Sequence, residues 1–368
     1  MKVSIITRHA ITNYGSLLQA FALQTVIENL GYDVEIIDYI RHDEDYKNIT
    51  DVLVKKSLKW NSNSITRFLY KSIQSPEYKL MGKAFKRYRK QYLKLTNNYC
   101  SIKELEKNPP IADIYCTGSD QVWGTIGEDI YDKVYFLDFV QNDKKCISYA
   151  ASFGKSKIDE NFKNMLKGSL KKYDELLVRE DSALQILQSL NFKNSSQVLD
   201  PTLLLNNEQW DKYIGSKKIN KDYVLIYQLH RNNKMDKYSK MFSKKTGLQL
   251  IRMTPSLHHI VRGGKVVFLP NIIDFLSYIK NAKYVITDSF HGTAFAINYN
   301  VQFIDIHPGE TATRNQSILE LTGLKNRMLA NYNDFSYIDK MIDYKKVNEI
   351  LTVERVKSIN LLKESLIK

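Results

Sequence analysis

Two hydrophobic periods alternate along this chain. Lys2–Thr7 is a short β-branched run, which predicts a strand buried on both faces. After the turn Asn13-Tyr14-Gly15, apolar residues recur at helical spacing (Leu17, Leu18, Phe21, Ala22, Val26, Leu30). Ser16 is placed to cap this helix, and Gly31 sits where it stops. Val34–Ile37 then reads as a second strand. Strand, helix, strand in this order predicts a parallel sheet.

The rhythm breaks over residues 46–108, which read as a basic helical insertion with Tyr and Leu interleaved. It resumes with strands at Ile111–Thr117, Cys146–Ala150, Glu175–Val178 and Gln197–Leu199, and with helices at Phe162–Lys172 and Ser182–Leu190. The polar run Gly215–Lys221 supplies linker composition, so a boundary is expected near residues 205–220. Beyond it come strands at Tyr223–Gln228, Gln249–Met253, Val266–Phe268, Tyr284–Thr287 and Gln302–Ile306. Helices are expected at Lys234–Thr246, Ile272–Asn281 and Thr293–Tyr299, with a last one from Tyr344. The expected class is α/β. One unit spans residues 1–205, carrying the 46–108 insertion, and a second spans 206–343. A terminal helix, 344–368, is placed to pack back on the first unit.

Ligands of open parallel sheets bind beyond the carboxyl ends of the strands. This chain's polar and glycine residues cluster there, at 13–16, 118–121, 152–154 and 288–293. Two such units facing each other would hold a site in the cleft between them.

Composition narrows the picture. The chain has 368 residues, 43% of them hydrophobic and 26% charged, as in ordinary globular proteins. No apolar stretch approaches the roughly 18 residues of a membrane span, and the N-terminal apolar run is short for a signal peptide. Cys100, Cys116 and Cys146 form no CxxC pair, which suits a reducing cytoplasm. The formal charge is +14, and residues 51–100 hold twelve Lys/Arg against Asp51 and Glu77. Such a segment is either a solvated helix face or a contact for an anionic membrane surface. No recognised nucleic-acid motif accompanies it, so no nucleic-acid partner is expected.

Five blocks in order resemble the polysaccharide pyruvyl transferases. They are Asn13-Tyr14-Gly15-Ser16-Leu17-Leu18-Gln19-Ala20-Phe21-Ala22-Leu23-Gln24, Gly118-Ser119-Asp120-Gln121-Val122-Trp123, Tyr149-Ala150-Ala151-Ser152-Phe153-Gly154, Val178-Arg179-Glu180-Asp181-Ser182 with Asp200-Pro201-Thr202, and Thr287-Asp288-Ser289-Phe290-His291-Gly292-Thr293. The resemblance covers roughly residues 1–330, without the basic insertion. It implies two Rossmann-like domains arranged as in B-type glycosyltransferases. It also implies transfer of an enolpyruvyl unit from phosphoenolpyruvate to a sugar of a surface polysaccharide precursor, forming a pyruvate ketal. No further cofactor is implied.

That chemistry needs cationic donors for a phosphate and a carboxylate, and a general acid/base. His291 follows a predicted strand and opens a helix, where Gly292 permits close backbone approach, so it is the acid/base candidate. Many members of the resembled family carry Arg-x-His here, whereas this chain has Ser289 two residues before the histidine. The donor clamp must then come from elsewhere. Arg314 is the first substitute, and Arg179 and Arg252 also follow predicted strands. Asn13, Tyr14, Gly15, Ser16, Ser119, Asp120, Gln121, Ser152, Phe153, Ser289, Gly292 and Thr293 are candidates for substrate contact. Trp123 reads equally as a sugar platform or as core. Asp200-Pro201 reads as a structural turn. Glu310 lies where B-type enzymes hold a ribose, an analogy of fold alone.

Asp43-Glu44-Asp45 spells the DxD of metal-dependent sugar transferases, but it sits in an exposed charged turn. Adjacent His258 and His259 would face opposite ways on a strand. No required metal is expected. Two alternatives stay open: a B-type glycosyltransferase using a nucleotide sugar, and a non-catalytic basic protein binding glycan or membrane. A pyruvyl transferase would take a sugar or lipid-linked oligosaccharide as acceptor, and the basic segment would hold it at the anionic inner membrane face.

Overall fold

The computed structural model describes residues 1–126, 131–214, 222–307, 309 and 312–367. The first sheet grows from β1 (Lys2–Ile6), α1 (Tyr14–Asn29), β2 (Asp33–Tyr39), α2 (Ile49–Lys55), α3 (Ser64–Tyr92), β3 (Leu95–Tyr99), α4 (Ile102–Lys107) and β4 (Ile114–Thr117). It continues through β5 (Lys145–Ala151), α5 (Glu160–Leu170), β6 (Glu175–Val178), α6 (Asp181–Ser189) and β7 (Ser195–Gln197). Its seven strands are ordered β3-β2-β1-β4-β5-β6-β7, and every pairing is parallel.

Two short helices follow, α7 (Pro201–Leu204) and α8 (Asn207–Ile214). The second sheet uses β8 (Tyr223–Tyr227), α9 (Asn233–Thr246), β9 (Gln249–Thr254), β10 (Lys265–Phe268), α10 (Ile272–Lys280), β11 (Tyr284–Thr287), α11 (Phe290–Asn298) and β12 (Gln302–Asp305). Its order is β10-β9-β8-β11-β12, again all parallel. The chain closes with α12 (Thr313–Leu321) and α13 (Tyr344–Ile367). Both sheets are covered by helices on their two faces. For that reason the central strands β4, β8 and β11 are buried at every position.

Segment 46–108 is not a purely helical insertion. Leu95–Tyr99 enters the first sheet as the edge strand β3, beside β2. Its central Asn97-Asn98 pair is of a type depleted in strands, so only the pairing with β2 reveals it. The helix cap also differs from expectation. Asn13, with extended backbone, caps α1 by accepting from the Gly15 amide, which leaves the Ser16 hydroxyl free to donate to Asp120 at 2.6 Å. Gly31 ends the helix region at φ +91°, where a side chain would be strained. The expected linker residues 215–221 lie outside the described residues, and 207–214 are helical.

One apolar core runs through both sheets. Tyr14, the first residue of α1, stacks on Phe275 of α10 at 4.4 Å, and its hydroxyl donates to the Pro270 carbonyl at 2.5 Å. Removing a buried ring of this kind costs roughly 3–5 kcal/mol. Helix α13 ties both halves. Tyr344 donates to the Val301 carbonyl, Ser358 Oγ accepts the Leu199 N–H, and Arg355 donates to the Leu203 carbonyl and to Asn298 Oδ1. The facing strand ends are therefore held in one fixed relationship.

Candidate active site

The carboxyl ends of the strands of both sheets open into a cleft of about 200 Å³. Arg8 and Asn13 come from the loop after β1, and Ser16 from the first turn of α1. Asp120 and Gln121 follow β4. From the other side come His230 after β8, Ser289 and His291 after β11, and Arg314 and Asn315 on α12.

The two halves meet closely. A Cβ added to Gly15 would lie 2.0 Å from His291 Nδ1, so glycine is required for the N-termini of α1 and α11 to abut. The other face of the imidazole looks toward carboxylates. His291 Nε2 is 3.9 Å from Asp200 Oδ2, is buried and has no hydrogen-bond partner among the described residues. Burial lowers the His291 pKa, against the pull of Asp200 and Asp120, so the ring is neutral at neutral pH.

Asp120 sits at φ +78° and bridges the components. Burial alone would raise its pKa, but Arg179, His291, Arg314 and Arg8 hold it well below the usual carboxylate range. Asp200 is likewise held ionised. Against its burial it sits beside His291 and Arg179, and it receives the Ser119 hydroxyl at 2.8 Å and the Thr202 hydroxyl at 2.7 Å.

The arginines divide the work. Arg179 is buried behind the cleft, donates to Asp200 at 3.0 Å and stacks 4.7 Å over Phe290. Arg314 lies on the cleft wall, with Nη1 3.7 Å from Asp120 and Nε without a partner among the described residues. Burial, together with the neighbouring Arg179 charge, pushes its pKa down to about 10. A guanidinium so poorly compensated is a seat for an anion. Arg252 is elsewhere, paired with Asp236 at 2.7 Å and Gln228 at 2.9 Å.

Ser289 caps α11, accepting from the Gly292 amide at 3.3 Å. Gly292 is needed because a Cβ there would stand 2.5 Å from Thr287 Oγ1. Thr293 faces away from the cleft and donates to Asp305 at 2.5 Å. Ser152 donates to Glu180 at 2.6 Å, and Phe153 packs on Trp123, which is fully buried in the core of the first sheet. Tyr14 belongs to the contact between the halves. Glu310 lies outside the described residues.

Residues not singled out from the sequence complete the site. Arg8 pairs with Glu44 at 2.7 Å on the cleft wall. Asp288 accepts from the amides of Leu229 and His230 and from His230 Nδ1 at 3.1 Å. This hydrogen bond raises the His230 pKa, against partial burial. Both Arg8 and His230 directly follow strands, the placement that could have drawn attention to them. Asp200 hid in an apparent turn motif.

Asp43 and Glu44 of the DxD motif are engaged by Arg41 and Arg8. Among the described residues no group of three His, Cys, Asp or Glu could hold a metal ion. His259 lies on a short 3-10 helix, Leu257–Arg262, and bonds Thr254 at 2.8 Å.

Solved structures share this architecture at low identity. A Listeria monocytogenes protein assigned as a UDP-N-acetylglucosamine 2-epimerase is 12% identical with a TM-score of 0.52, covering 95% of this chain and 90% of its own. Arabidopsis thaliana UGT89C1, solved with UDP-L-rhamnose, is 10% identical at 0.51, covering 99% and 98%. The UDP-GlcNAc 2-epimerase of Methanocaldococcus jannaschii, solved with UDP-GlcNAc and UDP, is 15% identical at 0.50, covering 96% and 99%. At this identity they establish the fold, the two-sheet arrangement of B-type glycosyltransferases and epimerases. No curated protein matches the sequence. The family model for polysaccharide pyruvyl transferases matches residues 13–305, from the cap of α1 to the end of β12, and so takes in His291, Asp120 and Asp200 together. The chain belongs to the polysaccharide pyruvyl transferase family.

Proposed function

We propose that this protein transfers an enolpyruvyl unit from phosphoenolpyruvate to a sugar, closing a pyruvate ketal on two hydroxyls of a polysaccharide precursor. The observation that carries this reading is the placement of Arg314, an under-compensated guanidinium, in the same cleft as a neutral, unpartnered His291. Arg314 and Arg8 bind the phosphate and carboxylate of the donor, replacing the arginine that Ser289 does not supply.

The two cleft histidines are pushed in opposite directions, which divides the acid and base roles. His291, neutral, takes the proton of the attacking hydroxyl as its oxygen bonds to C2 of the donor. His230, protonated on Asp288, delivers a proton to the methylene carbon. The resulting tetrahedral centre expels inorganic phosphate. The oxocarbenium ion left behind is stabilised by ionised Asp120, and the second hydroxyl adds to it, its proton passing to the released phosphate; exchange with water then returns His291 and His230 to their starting protonation states. Donor plus diol thus becomes ketal plus phosphate. No cofactor beyond the donor enters this scheme.

Incubation with phosphoenolpyruvate and a pool of candidate glycans tests it: inorganic phosphate is released and a glycan gains the mass of a pyruvate ketal. Absence of both across a broad acceptor set argues against it. A nucleotide-sugar donor is the second reading, favoured by Ser289 and by the UDP-bound structural relatives. Under it, a nucleoside diphosphate is released instead.

A further inference from the structure

From Phe68 to Lys90 the exposed residues of helix α3 lie on one stripe, and the stripe has two chemically distinct halves. At 100° per residue, the exposed positions from Ile65 to Lys90, Arg67 excepted, fall within an arc of about 140°. Toward the N-terminus this stripe is apolar. Ile65 and Phe68 are each 70% exposed, Ile73 is 64% exposed, and Leu69 and Leu80 extend the row. Leu58, in the turn before the helix, is 96% exposed. Toward the C-terminus the same stripe becomes cationic, with Lys79, Lys83, Lys86, Arg87 and Lys90 all exposed. The only carboxylate of α3, Glu77, is buried on the opposite side. The opposite side of the helix is anchored by buried Met81, Phe85 and Tyr88. The stripe is therefore left over after packing.

We infer that this stripe is a docking surface for an anionic lipid bilayer, with the apolar half entering the acyl boundary and the lysines meeting the headgroups. Exposed aliphatic and aromatic side chains beside a one-signed row of lysines match an interfacial helix. A second copy of the chain is a poor occupant, since it brings lysines to lysines with no acidic row to answer them. A nucleic acid would satisfy the lysines and leave the apolar half in water.

The surface also stands next to the cleft. Lys86 and Lys90 line a cavity of about 360 Å³ that reaches Glu44, and Glu44 pairs with Arg8 of the cleft wall. One ion pair separates the two hollows. A bilayer held by α3 thus lies on the side from which a membrane-anchored acceptor would enter, the part of the inference that rests on the proposed transfer. The docking itself does not depend on it.

The test is sedimentation of the full chain with vesicles of phosphatidylcholine alone, or with phosphatidylglycerol as roughly a third of the lipid. Binding is expected only to the anionic vesicles and to weaken with salt. Each cation near the surface is worth roughly fivefold in binding, so the triple variant K83Q/K86Q/K90Q should bind on the order of a hundredfold more weakly. F68S should lose the part of binding that survives high salt. All four positions are exposed, and unchanged melting temperatures show that the variants fold. Equal binding to both vesicle types, or an unaltered triple variant, overturns the inference. So does concentration-dependent self-association abolished by F68S, which would make the stripe an interface between copies. Tight oligonucleotide binding without vesicle binding overturns it as well.

Discussion

His291 and Asp200 come from different sheets, yet Nε2 and Oδ2 stand 3.9 Å apart, and neither residue's partners lie wholly within its own half. Asp200 is fixed from the first sheet by Ser119, Thr202 and Arg179. His291 opens α11 of the second. The site is thus made by the docking of the halves.

The two cleft histidines predict a bell-shaped pH dependence of kcat/KM. His291 must be unprotonated, and its pKa lies below the ordinary 6.5, so activity falls on the acid side as it gains a proton. His230 must be protonated, and its pKa lies above 6.5, so activity falls on the alkaline side as it loses one. H291N should remove the acid limb and cost roughly 10²–10⁴ in rate. H230Q should flatten the alkaline limb. Profiles of wild type and both variants check the assignment. An alkaline limb that persists in H230Q removes His230 from the mechanism.

Gly15 tests the abutment of α1 and α11 at the site. G15A places a methyl group where His291 Nδ1 stands, 2.0 Å from it, and must displace the ring. Turnover should fall nearly as far as in H291N. The two changes together should cost little more than either, since both remove the same group's action. Fully additive losses would show that Gly15 acts independently of His291.

Arg314 should govern donor affinity. R314K keeps the charge and loses the planar fork, so KM for phosphoenolpyruvate should rise roughly tenfold to a hundredfold, as for a charged hydrogen bond of about 1.5–3 kcal/mol. The acceptor KM should change little. Steady-state kinetics varying each substrate in turn separates the two. A change confined to the acceptor would move Arg314 to the other half of the site.

Asp305 couples stability to pH. It is buried, accepts from Thr293 and Asn315, and burial raises its pKa from 3.8 to about 7. A carboxyl with a raised folded-state pKa contributes stability that is full below its unfolded value and lost as pH rises through the folded one. The stability of wild type relative to D305N should therefore decline by about 4 kcal/mol between about pH 4 and pH 8. Denaturant unfolding across that range measures it. A difference independent of pH would mean that Asp305 stays ionised.

The parallel rhythm was legible because buried strands such as Val3-Ser4-Ile5-Ile6 and Tyr223-Val224-Leu225-Ile226 are nearly continuous apolar runs. The cleft is legible in the same way, since polar residues such as Asp120 and Ser289 closely follow the buried strands Ile114–Thr117 and Tyr284–Thr287. β3 was hidden because its Thr-Asn-Asn centre forms a strand only through pairing with β2. Asp200 resembles a plain turn in the sequence because its contact with His291 lies 91 residues further along the chain and on the other sheet. Arg8 and His230 had the right position but lay outside the family blocks. Ser16 and Asn13 are both good caps, and backbone geometry alone selects Asn13. Trp123 could not be told from a sugar platform until its complete burial was visible.

Under the proposed function, the cleft between Arg314 and His291 receives phosphoenolpyruvate. The melting temperature of the full chain with phosphoenolpyruvate, beside a panel of nucleotide sugars, tests it most directly. Ligand at about a hundred times its dissociation constant adds roughly 2.7 kcal/mol, which is read as a shift of a few degrees. A shift with phosphoenolpyruvate is expected, and R314A should diminish it. A shift with nucleotide sugars alone would contradict it.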